Sequence, residues 1–293
     1  MSATEKLISA SPISAMKNKK RLLILLSAVP IFAFALSVLS SKMKTVYYEI
    51  ESSKVEKPFR IIFISDLHSC SYGENGVSEI VEEVRAQNPD VVLFGGDMFD
   101  SRRMPEDNTV TLMKVLGSEF DCYYSTGNHE VRHEKLDYYK EIAASCGVKV
   151  LDGTHTKMAL SALSTEPDIY GFDDSTAYGD FYDQLYNIEE TTRNYHFENS
   201  FNVLLIHRPE YFEHYVNLGF DLVLCGHAHG GQWRIPGLLN GLYAPGEGLF
   251  PKYAGGLYEK EGTAMIVSRG LARESTFIPR IFNRPELVVI DII

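Results

Sequence analysis

The chain has 293 residues, of which 45% are hydrophobic and 12% aromatic, so it can bury a substantial core in one or two domains. The chain has 28 Lys and Arg residues and 39 Asp and Glu residues. Residues 1–44 contain seven of the basic residues and one of the acidic ones, so the rest of the chain has 21 basic and 38 acidic side chains. A surface with that excess of negative charge repels nucleic acid, so no nucleic-acid partner is expected.

The first predicted element is an uncharged apolar run, residues 22–41, which is long enough for a helix to cross a bilayer. Four basic residues precede it closely and two follow it, which favours a cytoplasmic N-terminus. The sequence therefore predicts a basic cytoplasmic segment at 1–21, a transmembrane anchor at 22–41, a linker and lead-in at 42–57, and an extracytoplasmic domain at 58–293. The protein would be a single-pass protein of the cell membrane. A cleaved signal peptide is the alternative, because Ala33-Phe34-Ala35 has the small-x-small pattern of a cleavage site.

Five short runs of β-branched or aromatic residues are predicted to be buried strands. They lie at residues 59–65, 90–94, 121–125, 201–206 and 221–225. Stretches with helical spacing lie at 76–87, 109–118, 134–146 and 209–218. Further strands are predicted at 148–151, 156–163, 169–172, 263–268 and 287–292. Strands that alternate with helices are typical of an α/β layered fold.

A polar motif follows each of the first five strands. The motifs are Asp66-Leu67-His68, Gly96-Asp97-Met98-Phe99-Asp100, Gly127-Asn128-His129-Glu130, His207 and Gly226-His227-Ala228-His229. One such motif alone is explained by a helix cap or a tight turn. Five of them at the ends of neighbouring strands indicate a functional site, because those strand ends meet at one edge of a sheet.

The motifs together offer seven oxygen and nitrogen donors, which is more than one ion with open positions requires. They suit two divalent ions that share a carboxylate ligand. Mixed oxygen and nitrogen ligation without thiolate suits Mn, Fe or Zn. Two such ions activate a bridging water and hold both the attacking and the departing oxygen of a displacement at phosphorus. The predicted substrate is therefore a phosphate ester rather than a peptide or a sugar.

The order and spacing of the motifs resemble those of the calcineurin-like metallophosphoesterase superfamily, whose signature is D-x-H, G-D-x-x-D, G-N-H-[DE], a lone H and G-H-x-H. The resemblance covers residues 58 to 293. The segments 226–232, 252–258 and 268–271 look like the membrane-associated bacterial branch, which includes phosphodiesterases and UDP-2,3-diacylglucosamine pyrophosphatases. This resemblance implies a four-layer α/β/β/α sandwich.

The resemblance also implies roles for individual residues. One ion would be held by Asp66, His68, Asp97 and His229, and the other by Asp97, Asn128, His207 and His227. His129 is expected to contact the phosphoryl oxygens and to protonate the leaving group, with an orienting role as the alternative. Asp100 and Glu130 are expected to orient the histidines or metal-bound water rather than to bind metal.

Two regions could shape specificity. Residues 171–200 are rich in aromatic and acidic side chains and are interpreted mainly as an amphipathic helix with its loop. Residues 232–256 directly follow the last histidines and carry Arg234 and Lys252, which could meet a second phosphate. Apolar residues of the same segment could instead touch a bilayer or a lipid chain.

The four cysteines have no C-x-x-C spacing and are expected to be buried free thiols, with one disulfide as the alternative. They are Cys70, Cys122, Cys146 and Cys225.

The resulting hypothesis is a membrane-anchored enzyme with two divalent metal ions. It would hydrolyse a phosphodiester or pyrophosphate bond, in a lipid-linked or envelope substrate, by attack of a metal-bridging hydroxide. Nucleotides and wall polymers are the alternative substrates. An alternative from another class is a membrane-tethered binding protein that uses its metal site for docking.

Overall fold

The computed structural model describes residues 41–100, 105–160, 166–193, 199–273 and 279–293. Two six-stranded mixed sheets lie at its centre. The first sheet has the order β1 (Lys44–Ile50), β14 (Glu286–Ile292), β2 (Phe59–Ile64), β3 (Val91–Gly95), β4 (Asp121–Ser125) and β5 (Lys149–Val150). The second has the order β12 (Gly256–Lys260), β13 (Thr263–Val267), β9 (Leu222–Cys225), β8 (Asn202–Leu205), β7 (Asp168–Gly171) and β6 (Thr154–Lys157). A small hairpin joins β10 (Tyr243–Ala244) to β11 (Gly248–Leu249).

Helices connect the strands. They are α1 (Ser78–Gln87), α2 (Asp107–Glu119), α3 (Asn128–Val131), α4 (Leu136–Ser145), α5 (Ser175–Tyr178), α6 (Phe181–Thr192) and α7 (Phe212–Val216). Three 3-10 turns lie at Arg132–Glu134, Pro209–Tyr211 and His229–Gly231. The helix predicted at 209–218 is thus divided into a 3-10 turn, which begins at a proline, and the short α7.

The central strands are mostly apolar on both faces, and successive residues point into different cores. In β2, Ile61 and Phe63 belong to the apolar cluster between the two sheets, whereas Ile62 and Ile64 face the helices that cover the first sheet. A third cluster lies between the second sheet and helices α6 and α7. The predicted α/β class is confirmed, and the three clusters arrange the layers as helix, sheet, sheet, helix.

The first strand of the structure lies in the segment where the sequence predicts only a linker and lead-in. Strand β1 pairs in parallel with β14, so Lys44–Ile50 forms the edge of the first sheet. The division of the chain at residue 58 remains a prediction, but part of 42–57 is built into the same sheet as the rest.

The predicted membrane location requires a correction. In the described part of the chain, no helix is long and apolar enough to cross a membrane. This finding overturns the predicted single-pass location, which is not carried further. The predicted basic segment 1–21 and all of the predicted anchor 22–41 except Ser41 lie outside the described residues.

The cysteine prediction is confirmed, because all four cysteines are buried and free.

Candidate metal centre

The five motifs come together because the strands before them run in parallel. Strands β2, β3 and β4 are parallel neighbours in the first sheet, and β8 and β9 are parallel neighbours in the second. Backbone hydrogen bonds then join the loops that follow: the amide of Asp66 donates to the carbonyl of Gly96 at 2.9 Å, and the amide of Gly226 donates to the carbonyl of His207 at 3.0 Å. One rim of the sandwich therefore carries all five motifs.

The backbone of this rim is strained at the predicted ligands. Five of them have a φ between 48° and 64°, in the left-handed region that residues with a side chain seldom adopt. They are Asp66, His68, Asp97, His227 and His229. Such strain persists only where the surrounding structure imposes it, and it is concentrated at functional sites.

Glycines of the motifs allow the carboxylates to lie against the neighbouring loops. A Cβ at Gly127 would lie 2.3 Å from Oδ1 of Asp97, and a Cβ at Gly226 would lie 2.3 Å from Oδ2 of Asp66. Any larger residue at either position would displace a carboxylate. The absence of a side chain at these two glycines therefore allows the carboxylates of Asp66 and Asp97 to take up their positions.

Four predicted ligands form a first buried group. Asp66, His68, Asp97 and His229 each offer one ligand atom, and these atoms all lie within 4.8 Å of one another. Nε2 of His229 lies 3.7 Å from Oδ1 of Asp66, and Nε2 of His68 lies 3.6 Å from Oδ2 of Asp97. This spacing is that of a site which could hold one metal ion.

A second buried group shares Asp97 with the first. Ligand atoms of Asp97, His207 and His227 also lie within 4.8 Å of one another. Nε2 of His207 lies 3.3 Å from the same Oδ2 of Asp97. Asn128, at the start of α3, is also buried. One carboxylate therefore stands between two sets of donors.

Several buried polar atoms of these residues have no hydrogen-bond partner among the residues that the structure describes. They are both ring nitrogens of His68, Oδ1 of Asn128, Nε2 of His207, Nε2 of His227 and Nδ1 of His229. Buried polar atoms are nearly always paired, and imidazole nitrogens with carboxylate and amide oxygens form a donor set that divalent transition metals accept. The residues present therefore fit divalent cations, whereas the choice among Mn, Fe and Zn remains a prediction.

Burial sets the protonation of these donors in the metal-free protein. It lowers the pKa of His68 to about 4 and that of His227 to about 3, so both imidazoles are neutral at pH 7. Burial, with the charge of Asp97 adding to it, raises the pKa of Asp66 to about 6. Burial opposes a charge on His207, but the carboxylates of Asp97 and Asp66 outweigh it and raise the pKa to about 10.

His129 lies beside the first group and is more exposed than the predicted ligands. Its amide donates to Oδ1 of Asp97 at 2.7 Å, and its ring stands edge-on to that of His68 with 4.4 Å between centroids. Nδ1 of His129 lies 3.6 Å from Oδ1 of Asp100, and Nε2 lies 3.1 Å from Nη1 of Arg132. The ring is thus held on both sides, with 15% of its side chain exposed to solvent.

Glu130 holds two of the motif loops together. Its buried carboxylate accepts hydrogen bonds from the backbone amides of Asp97 at 3.0 Å, Phe99 at 3.0 Å and Gly127 at 2.8 Å. A carboxylate whose oxygens are used in this way is placed to orient the loops that carry ligands.

The comparisons with known proteins agree with this geometry. The family model described as calcineurin-like phosphoesterase matches residues 59–231, which is more than half of the chain. The chain belongs to the calcineurin-like phosphoesterase family. The predicted membership of the calcineurin-like superfamily is confirmed, whereas the membrane-associated branch stays a prediction. Family membership supports the predicted enzyme class, a metal-dependent hydrolase of phosphoric esters.

Three relatives illustrate the family. The chain is 27% identical to an uncharacterized metallophosphoesterase of Campylobacter jejuni over 77% of its own length and 60% of that protein. It is 25% identical to an uncharacterized metallophosphoesterase of Bacillus subtilis, over 84% of each chain. It is 28% identical to the phosphodiesterase YaeI of Escherichia coli, over 80% of this chain and 83% of that protein.

In this calcineurin-like phosphoesterase, the two predicted substrate contacts do not join the donor groups. The ammonium of Lys252 lies 2.6 Å from Oε1 of Glu213 on the surface. Arg234 is half-buried and donates to the carbonyl of Gly230 at 3.5 Å and to Oδ1 of Asn240. Their role in substrate binding stays a prediction.

Two polar residues near the end of the chain also touch this rim and were not predicted. Asn283 is buried, and its Nδ2 donates to the carbonyl of His229 at 2.7 Å. Arg280 is buried and donates to the carbonyl of Gly270 at 3.4 Å. The signal in the sequence is weak: both residues interrupt the short apolar segment that leads into β14, which is more often a surface feature than a site.

Proposed function

We propose that the chain is a phosphoesterase with two divalent metal ions that hydrolyses a phosphodiester or pyrophosphate bond. The observation that carries this proposal is the sharing of Asp97 between two groups of buried donors. A carboxylate with two oxygens is the natural bridge between two ions.

In the proposal, the first ion is held by Asp66, His68, Asp97 and His229, and the second by Asp97, Asn128, His207 and His227. When bound, the two ions would supply Lewis acidity and an activated water for attack at phosphorus. The role of the chain is to keep the donors buried and fixed in position by strained loops, with the imidazoles of His68 and His227 held neutral by burial.

His129 is proposed to protonate the departing oxygen. Its ring borders the first donor group at His68 while part of it remains open to solvent, so it can meet a substrate that binds at the rim. Asp100 lies near its Nδ1 and is placed to orient the ring. A positioned imidazole contributes about 10² to 10⁴ in rate.

The preference for a diester is supported by the similarity to a protein named phosphodiesterase. The finer proposal of a lipid-linked or envelope substrate is supported by exposed apolar side chains in the segment after the last histidines. Leu238 is 82% exposed, Leu249 67% and Phe250 65%. Nucleotides and wall polymers with phosphodiester backbones remain the alternatives.

The decisive test compares two histidine variants. His129→Ala should lower hydrolysis of bis-(p-nitrophenyl) phosphate at least about 100-fold while the metal content measured by elemental analysis is retained. His155→Ala, in strand β6, is the control and should keep wild-type activity. Undetectable turnover of the wild-type protein with added Mn would instead favour a docking role for the site.

The purified protein should contain about two metal ions per chain. It should hydrolyse diesters or pyrophosphates, including lipid-linked ones, better than monoesters. Activity restricted to monoesters would contradict the proposed substrate class.

A further inference from the structure

Arg280 is a buried cation, and no carboxylate of the described residues forms an ion pair with it. Only 7% of the residue is exposed, and its one hydrogen bond to the residues that the structure describes is a long one from Nη2 to the carbonyl of Gly270 at 3.4 Å. Among the same residues, its Nε and Nη1 have no hydrogen-bond partner. Burial of a charge is strongly unfavourable unless the charge is paired. Binding of an anion to this guanidinium would therefore be favourable.

The position of Arg280 relates it to the first donor group. Gly270, which accepts its hydrogen bond, packs directly on Asp66: a Cβ at Gly270 would lie 2.5 Å from Cβ of Asp66. Three residues after Arg280, Asn283 donates to the backbone carbonyl of His229 at 2.7 Å and to that of Gln232 at 3.2 Å. The segment 280–283 therefore flanks the part of the rim that carries Asp66 and His229.

The neighbouring carboxylates already have other partners. Asp66 accepts from the amide of His227 at 3.0 and 3.2 Å. Glu286 lies 3.3 Å from the ammonium of Lys44 and 3.4 Å from Nε of Arg269. In the described part of the chain, no ion pair reaches the guanidinium of Arg280, so its positive charge is available to an anionic ligand at the rim.

We propose that Arg280 binds an anionic oxygen of the phosphoryl group of the substrate on the Asp66 and His229 side of the centre. The unpartnered Nε–H and Nη1–H lie on different edges of the guanidinium, so each can donate one charge-assisted hydrogen bond to an anionic oxygen, and they do not form a bidentate pair. This inference rests on the proposed function, since it places the phosphoryl group at the same centre.

The test measures phosphate binding apart from turnover. Inorganic phosphate is titrated calorimetrically into the metal-loaded full chain of the wild type, Arg280→Gln, Arg280→Lys and the control Arg85→Gln. Arg85 is an exposed arginine of α1 that pairs with Glu119 at 2.8 Å. Metal content, melting temperature, kcat and KM are measured on the same samples.

Arg280→Gln should weaken phosphate binding at least about tenfold with unchanged metal content, and Arg280→Lys should lie between it and the wild type because it keeps the charge but not the planar set of guanidinium donors. Arg85→Gln should bind phosphate as the wild type does. If Arg280→Gln does not fold, the comparison rests on Arg280→Lys, which should still bind more weakly than the control.

Wild-type phosphate affinity in a folded, metal-loaded Arg280 variant would overturn the proposal. Loss of metal from these variants would also overturn it, since Arg280 would then support the ligands rather than the substrate. Absence of turnover in the wild type would contradict the proposed function alone, because the phosphate titration still reports on Arg280.

Discussion

At Asp66, a carboxylate is completely buried within a few ångströms of other titratable side chains. It accepts a hydrogen bond from the amide of His227, and its Oδ1 lies 3.9 Å from Nε2 of His207. Burial, followed by the nearby charge of Asp97, raises its pKa to about 6. The metal-free protein therefore holds this carboxylate in an environment that opposes its ionisation.

The consequence is a dependence of stability on pH. Because the folded-state pKa lies above the ordinary value of 3.8, the contribution of Asp66 is fully present below about pH 4 and is lost as the pH rises through 6. In the metal-free protein, Asp66→Asn should raise the free energy of unfolding at pH 7.5 by up to about 3 kcal/mol and should bring no gain near pH 4.

Chemical denaturation of chelator-treated protein at the two pH values measures this difference. Asp137→Asn, at an exposed position of α4, is the control and should behave as the wild type does at both. An equal effect of Asp66→Asn at both pH values would show that the substitution acts through packing and not through charge.

At the scale of elements, the loops that end the strands depend on their glycines. Gly96 follows β3 with a φ of 84°, and a Cβ there would lie 2.6 Å from the amide nitrogen of Gly127 and 2.7 Å from Nδ1 of His207. Gly237 has a similar φ of 76° but has no atom within 4 Å of such a Cβ. Both glycines adopt a positive φ, but only at Gly96 would an added Cβ collide with neighbouring atoms.

Alanine variants at these two glycines distinguish the effect of backbone strain from the effect of displaced metal ligands. Gly237→Ala should lower stability by about 1 kcal/mol through its unfavourable φ and leave metal content unchanged. Gly96→Ala should lower stability by more than that and should also lose bound metal, because the loops of Asp97, Asn128 and His207 must move apart. Melting curves and elemental analysis on both variants measure the two effects; equal metal content would contradict the expectation.

The strands that carry the site could be predicted because each is a short apolar run followed at once by polar residues. The prediction for β4 matches its bounds, that for β2 is one residue too long at its end, and that for β3 is shifted by one residue at both ends. Strand β1 could not be predicted in the same way, because its apolar residues are mixed with Lys44, Thr45 and Glu49, no polar motif follows it, and its partner β14 is more than 200 residues away. Only a long-range pairing makes it a strand.

The donors were predictable for a related reason, since every one of them lies within two residues of a strand end or in the short motif that follows it. Arg280 and Asn283 were not, because they reach the rim through the backbone of Gly270 and His229 and belong to no motif. Sequence patterns report local neighbours, whereas these contacts depend on how the end of the chain packs.

At the scale of the whole molecule, the centre draws donors from both sheets. Asp66, Asp97 and Asn128 follow strands of the first sheet, and His207 and His227 follow strands of the second. Cations bound by both sets would tie the sheets together at this rim, so the metal-bound protein should be more resistant to unfolding than the metal-free one.

Divalent metal should raise the melting temperature. At a concentration about 100 times Kd, binding adds about 2.7 kcal/mol, which for a chain of this size corresponds to a rise of about 5 °C in melting temperature. Calorimetry with Mn or Zn, against the same protein in excess chelator, measures the shift. His227→Ala should reduce it; a wild-type melting temperature that does not respond to metal would contradict a centre shared by the two sheets.

The pairing of β1 with β14 has a practical consequence for anyone who shortens this chain. Strand β14 is almost entirely buried and apolar, and β1 satisfies the hydrogen-bonding groups along one side of it. Removal of residues 44–50 would make β14 an apolar edge strand with unpaired backbone groups, and such an edge can pair with a strand of another molecule. The polar, partly exposed Lys44–Ile50 strand therefore covers the edge of β14 and protects it from aggregation. Solubility should decline sharply in any fragment that starts after this strand.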